Sequence, residues 1–227
     1  MNEVKQFFKR LVFGTGVRQK KILFGLARGI RMHINMEHKI QRLVGLDELE
    51  IQNHFKKFAL TSSAFIDIGA SDGYYGLIYY KLNSHGEQFL CEANPAFLSE
   101  QKGNFAANGY LINRVHFITK FISDVSNENS LRLDQALADC SEKNVLVKID
   151  VDGGEVDVLK GMRSALLDRN CKIIIETHSK ELEEACISYL QQLNFKTLIV
   201  PNAWWRFFIP ELRQFKHNRW FVAEKKA

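Results

Sequence analysis

From about residue 64 onward, short apolar runs alternate with helical patterns, and this alternation limits the folds open to the chain more than any other feature. The runs are "AFIDIG" (64–69), "QFLCE" (88–92), "VHFITKFIS" (115–123), "VLVKID" (145–150), "KIIIETH" (172–178), "FKTLIV" (195–200) and "RWFVAE" (219–224). Between them the spacing predicts helices from Tyr74, over Pro95–Asn108, near Leu131–Ala138, over Glu155–Leu167 and over Lys180–Leu193. Near-continuous apolar strands separated by helices mean a parallel α/β sheet covered on both faces. No clear helix separates the last two strands, so they are expected to pair antiparallel.

With 227 residues, 46% of them apolar and 17 of them Phe, the chain can bury a sizeable core. The expected division is a basic, helical cap segment over 1–60 and a single sheet domain over 61–227. The four cysteines (Cys91, Cys140, Cys171 and Cys186) show no metal-ligand spacing. They fit a reduced, cytoplasmic setting. No run of about 18 apolar residues suggests a membrane span, and the first residues lack a signal-peptide pattern.

Residues 1–31 hold eight basic side chains against Glu3 alone. Mixed with Phe7, Phe8, Leu11, Val12 and Phe13, they read either as a solvated helix packed on the main domain or as a peripheral contact with the inner membrane surface. Basicity at a net charge of +5 is a weak warrant for nucleic acid, and no RNA-reading motif is present, so no nucleic-acid partner is expected. Nothing in the sequence sets an oligomeric state.

Ligands of open α/β sheets bind outside the carboxyl ends of the strands. Asp67, Glu92, Asp150 and Glu176 all fall there. In "FIDIGASDGYYG", Asp67 ends a strand, and Gly69, Gly73 and Gly76 let the backbone turn tightly before a helix. The spacing is not GxGxxG and the turn lacks a P-loop lysine, so pyrophosphate has no special claim on it. An acid before such a turn suits a cationic or hydroxyl-rich ligand. S-adenosylmethionine has both an ammonium group and a ribose, and Glu92, about 20 residues further on, is placed to accept from ribose hydroxyls.

"FIDIGASDGYYG", "CEANP", "VLVKIDVDGGEVDVLKGM" and "IIIETH" together resemble the FkbM-type family of S-adenosylmethionine-dependent methyltransferases, from Phe65 to His178. "GLARGIRM" (25–32) and "GLDELEIQNHF" (45–55) also look like segments that precede its fold. The resemblance implies a class I methyltransferase, Rossmann-like sheet, mostly parallel with an antiparallel last strand, helices on both faces and an N-terminal helical cap. It implies methyl transfer, commonly to hydroxyl oxygens of sugars or small metabolites, hence a glycan or small-molecule acceptor. Asp67, Gly69, Ala70, Ser71, Gly73, Tyr74, Glu92, Asn94, Ser123 and Asp150 are the expected donor-binding set. Two departures stand out: Asp152 where the family usually has Glu, and Gly154 where it often has Ala.

In "NVLVKIDVDGGEVDVLKG" a lysine interrupts a core strand and four acids follow. Period-two alternation puts Lys148 and Asp150 on one side. A buried lysine needs a partner, and Asp150 and Glu176 are the candidates. Expected at the acceptor are His178 as general base, Asp150 as second choice, Lys148 and Glu176. A divalent metal on Asp150, Asp152 and Glu176 is the less favoured account of the acids, and "DVDGGEVD" fails the calcium-loop pattern. Glu155 and Asp157 sit where negative charge favours a helix start. The aromatic, Arg-rich stretch 201–220 (Trp204, Trp205, Arg206, Phe207, Phe208, Arg213, Trp220) reads as an acceptor surface or as a packing loop. Rival readings are a nicotinamide-dependent oxidoreductase, opposed by the glycine spacing and the missing Tyr-xxx-Lys pair, and a non-catalytic binding module on the same fold.

Overall fold

In the computed structural model, which describes residues 15–37, 39–202 and 217–226, seven of the apolar runs become strands of one sheet. They are β3 (Ala64–Ile68), β4 (Glu87–Cys91), β5 (Val115–Ile118), β8 (Asn144–Ile149), β9 (Asn170–Thr177), β10 (Phe195–Val200) and β11 (Arg219–Lys225). Their order is β10-β11-β9-β8-β3-β4-β5. The strand β11 runs antiparallel to both of its neighbours, and the other pairings are parallel. After β3 the chain moves outward through β4 and β5, then returns to β8 on the other side. The switch point therefore lies between β3 and β8.

Alternation along each strand splits the core in two. One layer joins Phe65, Leu146, Ile174, Trp220 and Val222 to the helices α2 (Gln52–Ala59) and α3 (Tyr74–Leu82) through Phe55, Phe58, Tyr75 and Tyr79. The other joins Ile66, Val147, Ile149, Ile175 and Phe221 to three further helices. These are α6 (Glu155–Gly161), α7 (Arg163–Asp168) and α8 (Lys180–Gln192). Each fully buried large apolar side chain contributes roughly 1.5–3 kcal/mol.

Two elements differ from the sequence reading. The run 115–123 is not one strand: β5 stops at Ile118, and β6 (Phe121–Ile122) pairs with β7 (Ser130–Leu131) in a small separate sheet. An Asn127 turn, whose side chain accepts from the Asn129 and Ser130 amides, brings the two together. The expected helix over Glu155–Leu167 breaks at Met162. There the Asp134 carboxylate accepts from the Ser164 and Ala165 amides at 3.0 and 2.9 Å and starts α7 afresh. Asp134 itself lies on the short α5 (Leu133–Ala136).

Ahead of the sheet, the expected helical segment contains a β-hairpin as well. Its strands are β1 (Val17–Lys21) and β2 (Arg31–Asn35), followed by α1 (Ile40–Leu43) and α2. Asparagines of α4 (Ala96–Ala107) and its C-terminal end hold the hairpin, because Asn104 and Asn108 accept from the amides of His33 and Arg31. A buried ion cluster clamps the rest. Arg42 reaches both Asp72 carboxylate oxygens at 2.7 and 2.5 Å and Asp47 at 2.6 Å, and Lys39 adds a 2.7 Å contact to Asp72. The clamp lays the turn at residues 44–48 against the carboxyl end of the sheet. Among the described residues no helix is long and apolar enough to cross a membrane.

Candidate active site

A cleft of about 340 Å³ opens at the switch point, lined among others by Gly69, Glu92, Phe121, Ile122, Asp150 and Asp152. Its floor depends on one glycine. Gly69 has φ +84°, and a Cβ there would lie 1.9 Å from the Asp150 carbonyl oxygen. Only glycine lets the β3 turn pass this close to the end of β8.

Glu92 is held for binding. Its Oε2 accepts from the Ser71 amide and its Oε1 from the Asn94 amide, both at 2.9 Å. Each carboxylate oxygen keeps a further lone pair for a hydroxyl. The remaining turn residues shape this arrangement. Ser71 adopts a left-handed φ of +46°. The Ala70 amide donates to Cys91, the Gly73 amide donates to Ala70, and Asn94 caps the Ala96 amide.

Three further expected donor-binding residues are not among those that line this cleft. Tyr74 packs under the Arg42 guanidinium, 4.3 Å from its ring centre. Ser123 follows the cleft wall, with its carbonyl turned toward Gly161, where a Cβ would come within 2.0 Å. Asp67 projects to the opposite side of β3 from Ile68, as alternation requires. It pairs in register with Lys148 and joins the charged group described next. Its Oδ1 has no hydrogen-bond partner among the described residues, and burial, against the pull of Lys148, pushes its carboxyl up to about 7.

Lys148 is buried, with its Nζ 3.5 Å from Asp150 Oδ2 and 3.8 Å from Glu48 Oε2. The rings of Tyr75 and Trp220 lie 4.8 and 5.0 Å from the same nitrogen. Burial alone would lower the lysine, but Glu48, Asp150, Asp67 and Glu176 together hold it well above its ordinary range. Trp220 is thus a wall of the lysine site, fully buried. The other aromatic and arginine residues of the 201–220 stretch, Trp204, Trp205, Arg206, Phe207, Phe208 and Arg213, lie outside the described residues.

Glu48 escaped the sequence reading. It sits far from Lys148 in the chain, with a left-handed φ of +46° that is rare outside glycine. The one available signal was the need of a buried lysine for more counter-charge than Asp150 supplies. Burial, together with Asp47 and Asp150 and against Lys148, pushes the Glu48 carboxyl up to about 7.

The expected acceptor residues do converge. Ligand atoms of Asp150, Glu176 and His178 lie within 4.8 Å of one another. His178 Nε2 is 3.9 Å from Asp150 Oδ1, 3.8 Å from Glu176 Oε2 and 3.7 Å from Asp152 Oδ1. Its Nδ1 contacts Glu155 Oε1 at 2.9 Å. Two residues the sequence left open are thereby assigned. Glu155 is fully buried and orients the imidazole, whereas Asp152 is 69% exposed at the rim. Asp157 is an exposed first-turn acid facing Lys160.

Burial pulls His178 down, but the Glu155 hydrogen bond and the nearby Asp150 outweigh it, and its pKa is raised. Burial and the adjacent Asp150 push Glu176 well above the usual carboxylate range, which favours its protonated form. Such a group can bind a hydroxyl and take its proton, and its spacing would also accept a small divalent cation.

A sheet of this order with its one reversed strand, and a glycine turn and acid at the switch point, define a class I methyltransferase. The chain belongs to the FkbM family of that class: the methyltransferase FkbM domain matches residues 67–216. Methyltransferase FkbM from Methylobacillus flagellatus KT is similar in structure, with a TM-score of 0.58 at 14% identity over 71% of this chain and 43% of that one. The human methyltransferase 10 domain containing protein gives 0.57 at 15% identity, over 98% and 93%. An rRNA methylase from Streptococcus thermophilus gives 0.55 at 12%, over 78% and 97%. At these identities the likeness is one of fold. No curated protein sequence matches the chain significantly.

The cofactor of the class is S-adenosylmethionine, and the cleft fits it. Glu92 has lone pairs to spare for ribose hydroxyls, and glycine at residue 69 lets the β3 turn close against the Asp150 carbonyl to form the cleft floor.

Proposed function

We propose that the protein methylates a hydroxyl oxygen on a sugar, a glycan or a small hydroxylated metabolite, with His178 as the general base. The observation that carries this reading is the convergence of Asp150, Glu176 and His178 at the carboxyl edge, beside the cleft that holds Gly69 and Glu92. S-adenosylmethionine, when bound, supplies a methyl group already activated by its sulfonium. What the chain must add is alignment and a place for one proton.

Glu155 accepts from Nδ1–H of His178, which leaves Nε2 as the basic nitrogen and aims it at the carboxylates. The acceptor hydroxyl donates to Nε2, and protonated Glu176 donates to a neighbouring acceptor oxygen. Asp150 borders both the cleft and this cluster, so it sets the distance between donor and acceptor. Lys148 fixes the Asp150 carboxylate from behind. Four free, buried cysteines support a reducing, cytoplasmic setting for this chemistry.

Calorimetry with S-adenosylmethionine and with its demethylated product tests the donor site. Transfer of a labelled methyl group to glycan and small-metabolite fractions of a cell extract tests the acceptor. Label should enter an alkali-stable ether and disappear with Asp150→Ala. Label found only on protein or nucleic acid would sink the reading.

A further inference from the structure

We propose that the N-terminal hairpin is a docking surface for an anionic lipid bilayer. Between residues 15 and 31 the sequence has five cations, Arg18, Lys20, Lys21, Arg28 and Arg31, and no acid. None of the five has an ion-pair partner among the described residues, and all but Lys20 are exposed. A cluster of exposed cations without nearby acids favours an anionic partner.

Apolar side chains stand among them. Val17 is 60% exposed, Leu23 49% and Phe24 61%. The loop that bears Leu23 and Phe24 is pinned from below. The Leu23 amide donates to the Leu43 carbonyl at 3.0 Å. A Cβ on Gly45 would lie 2.2 Å from the Phe24 carbonyl oxygen, and one on Gly25 would lie 2.6 Å from the Gly45 carbonyl oxygen. Backbone therefore rests on backbone, with Ile22, Ala27 and Ile30 turned inward as the core side of the segment. Leu23 and Phe24 are held outward by this packing.

Beside them is a hollow of about 380 Å³ lined by Lys21, Ile22, Leu23, Arg28 and Gly29. Lys21 and Arg28 give it two cations, enough to receive a phosphate headgroup. Apolar side chains that enter the headgroup–acyl boundary, ringed by cations that meet lipid phosphate, are the requirements of interfacial binding. Two of the three exposed apolar side chains, Leu23 and Val17, are aliphatic and Phe24 is a lone ring, which favours a lipid surface over single-stranded nucleic acid, bound through successive stacking rings.

The full chain is sedimented with vesicles of phosphatidylcholine, with and without phosphatidylglycerol, at low and high salt. Binding is expected only with phosphatidylglycerol and should weaken as salt rises. The double variant L23S/F24S should lose about tenfold or more in vesicle affinity, and K21E/R28E should lose at least as much. Calorimetric donor binding, unchanged within about twofold, would show that both variants are folded. Equal binding to neutral vesicles, undiminished binding by both variants, or tighter retention of an RNA homopolymer than of vesicles would overturn the proposal.

Discussion

Lys148 is shared between two carboxylates from distant parts of the chain, with Glu48 Oε2 3.8 Å and Asp150 Oδ2 3.5 Å from its ammonium nitrogen. Asp150 belongs to the same strand end, but Glu48 arrives on the turn that the Arg42–Asp72 clamp holds down. The N-terminal segment thus completes the surroundings of the methyltransferase edge, from outside the stretch 67–216 that matches the family.

Glu48→Gln should weaken methyl transfer by about tenfold or more, equivalent to roughly 1.4 kcal/mol in the barrier. With Glu48 neutral, Lys148 is left to Asp150 and draws that carboxylate away from the acceptor. Donor affinity by calorimetry should stay within about twofold of wild type, since Glu92 and Gly69 are untouched. Equal transfer rates for both proteins would refute a role for Glu48 in the site.

His178 must be neutral to accept a proton, and its pKa is raised above 6.5. The rate should therefore fall on the acid side through a midpoint above 6.5, with one proton involved. Glu155→Gln removes the strongest upward influence on the imidazole. Its midpoint should move to lower pH, while the plateau rate drops because Nδ1 loses its charged acceptor. A pH–rate profile that is the same in both proteins would exclude His178 as the base.

Gly69→Ala places a methyl group into the Asp150 carbonyl at a residue with φ +84°. The β3 turn must move, and S-adenosylmethionine affinity should weaken by about tenfold or more, roughly 1.4 kcal/mol. Calorimetry reads this directly. Gly103 on α4, where an added Cβ would meet open space, is the control, and its Ala variant should bind donor normally.

Glu176 is pushed up to about 10 in the folded chain, from 4.5. The folded state keeps this proton where the unfolded state has lost it, so stability falls as pH rises above about 4.5. Glu176→Gln removes that liability. It should stabilise the protein by about 1–2 kcal/mol at pH 8, or roughly 2–4 °C in Tm per kcal/mol, with little effect at pH 4. Thermal unfolding at the two pH values checks the sign; a variant less stable at pH 8 than wild type contradicts it.

Strands were legible wherever burial covers both faces, because "AFIDIG", "VLVKID" and "KIIIETH" have no other stable fate than the middle of a parallel sheet. The run 115–123 misled because β5 is an edge strand, and nothing in its apolar pattern marks the point where pairing passes from β4 to β7. The helix over 155–167 misled because its periodicity continues across Met162, while the break comes from Asp134, a cap supplied by another helix. At the site, Asp150, Glu176 and His178 were legible from their positions at strand ends. Asp67 was legible as a strand-end acid, but its side of the strand sends it to Lys148 and away from the cleft.

Local pattern by itself determined the α/β class, the antiparallel final pair, the glycine turn and the set of acids at the carboxyl edge. These depend on near neighbours in the chain, through side-chain alternation and backbone conformational limits. Tertiary structure alone decided that Glu48 meets Lys148, that Glu155 holds His178 while Asp152 stays at the rim, and that Gly69 lies against the Asp150 carbonyl. Electrostatic pairing and close backbone contact act through space at a few ångströms, and sequence separation carries no record of such distances.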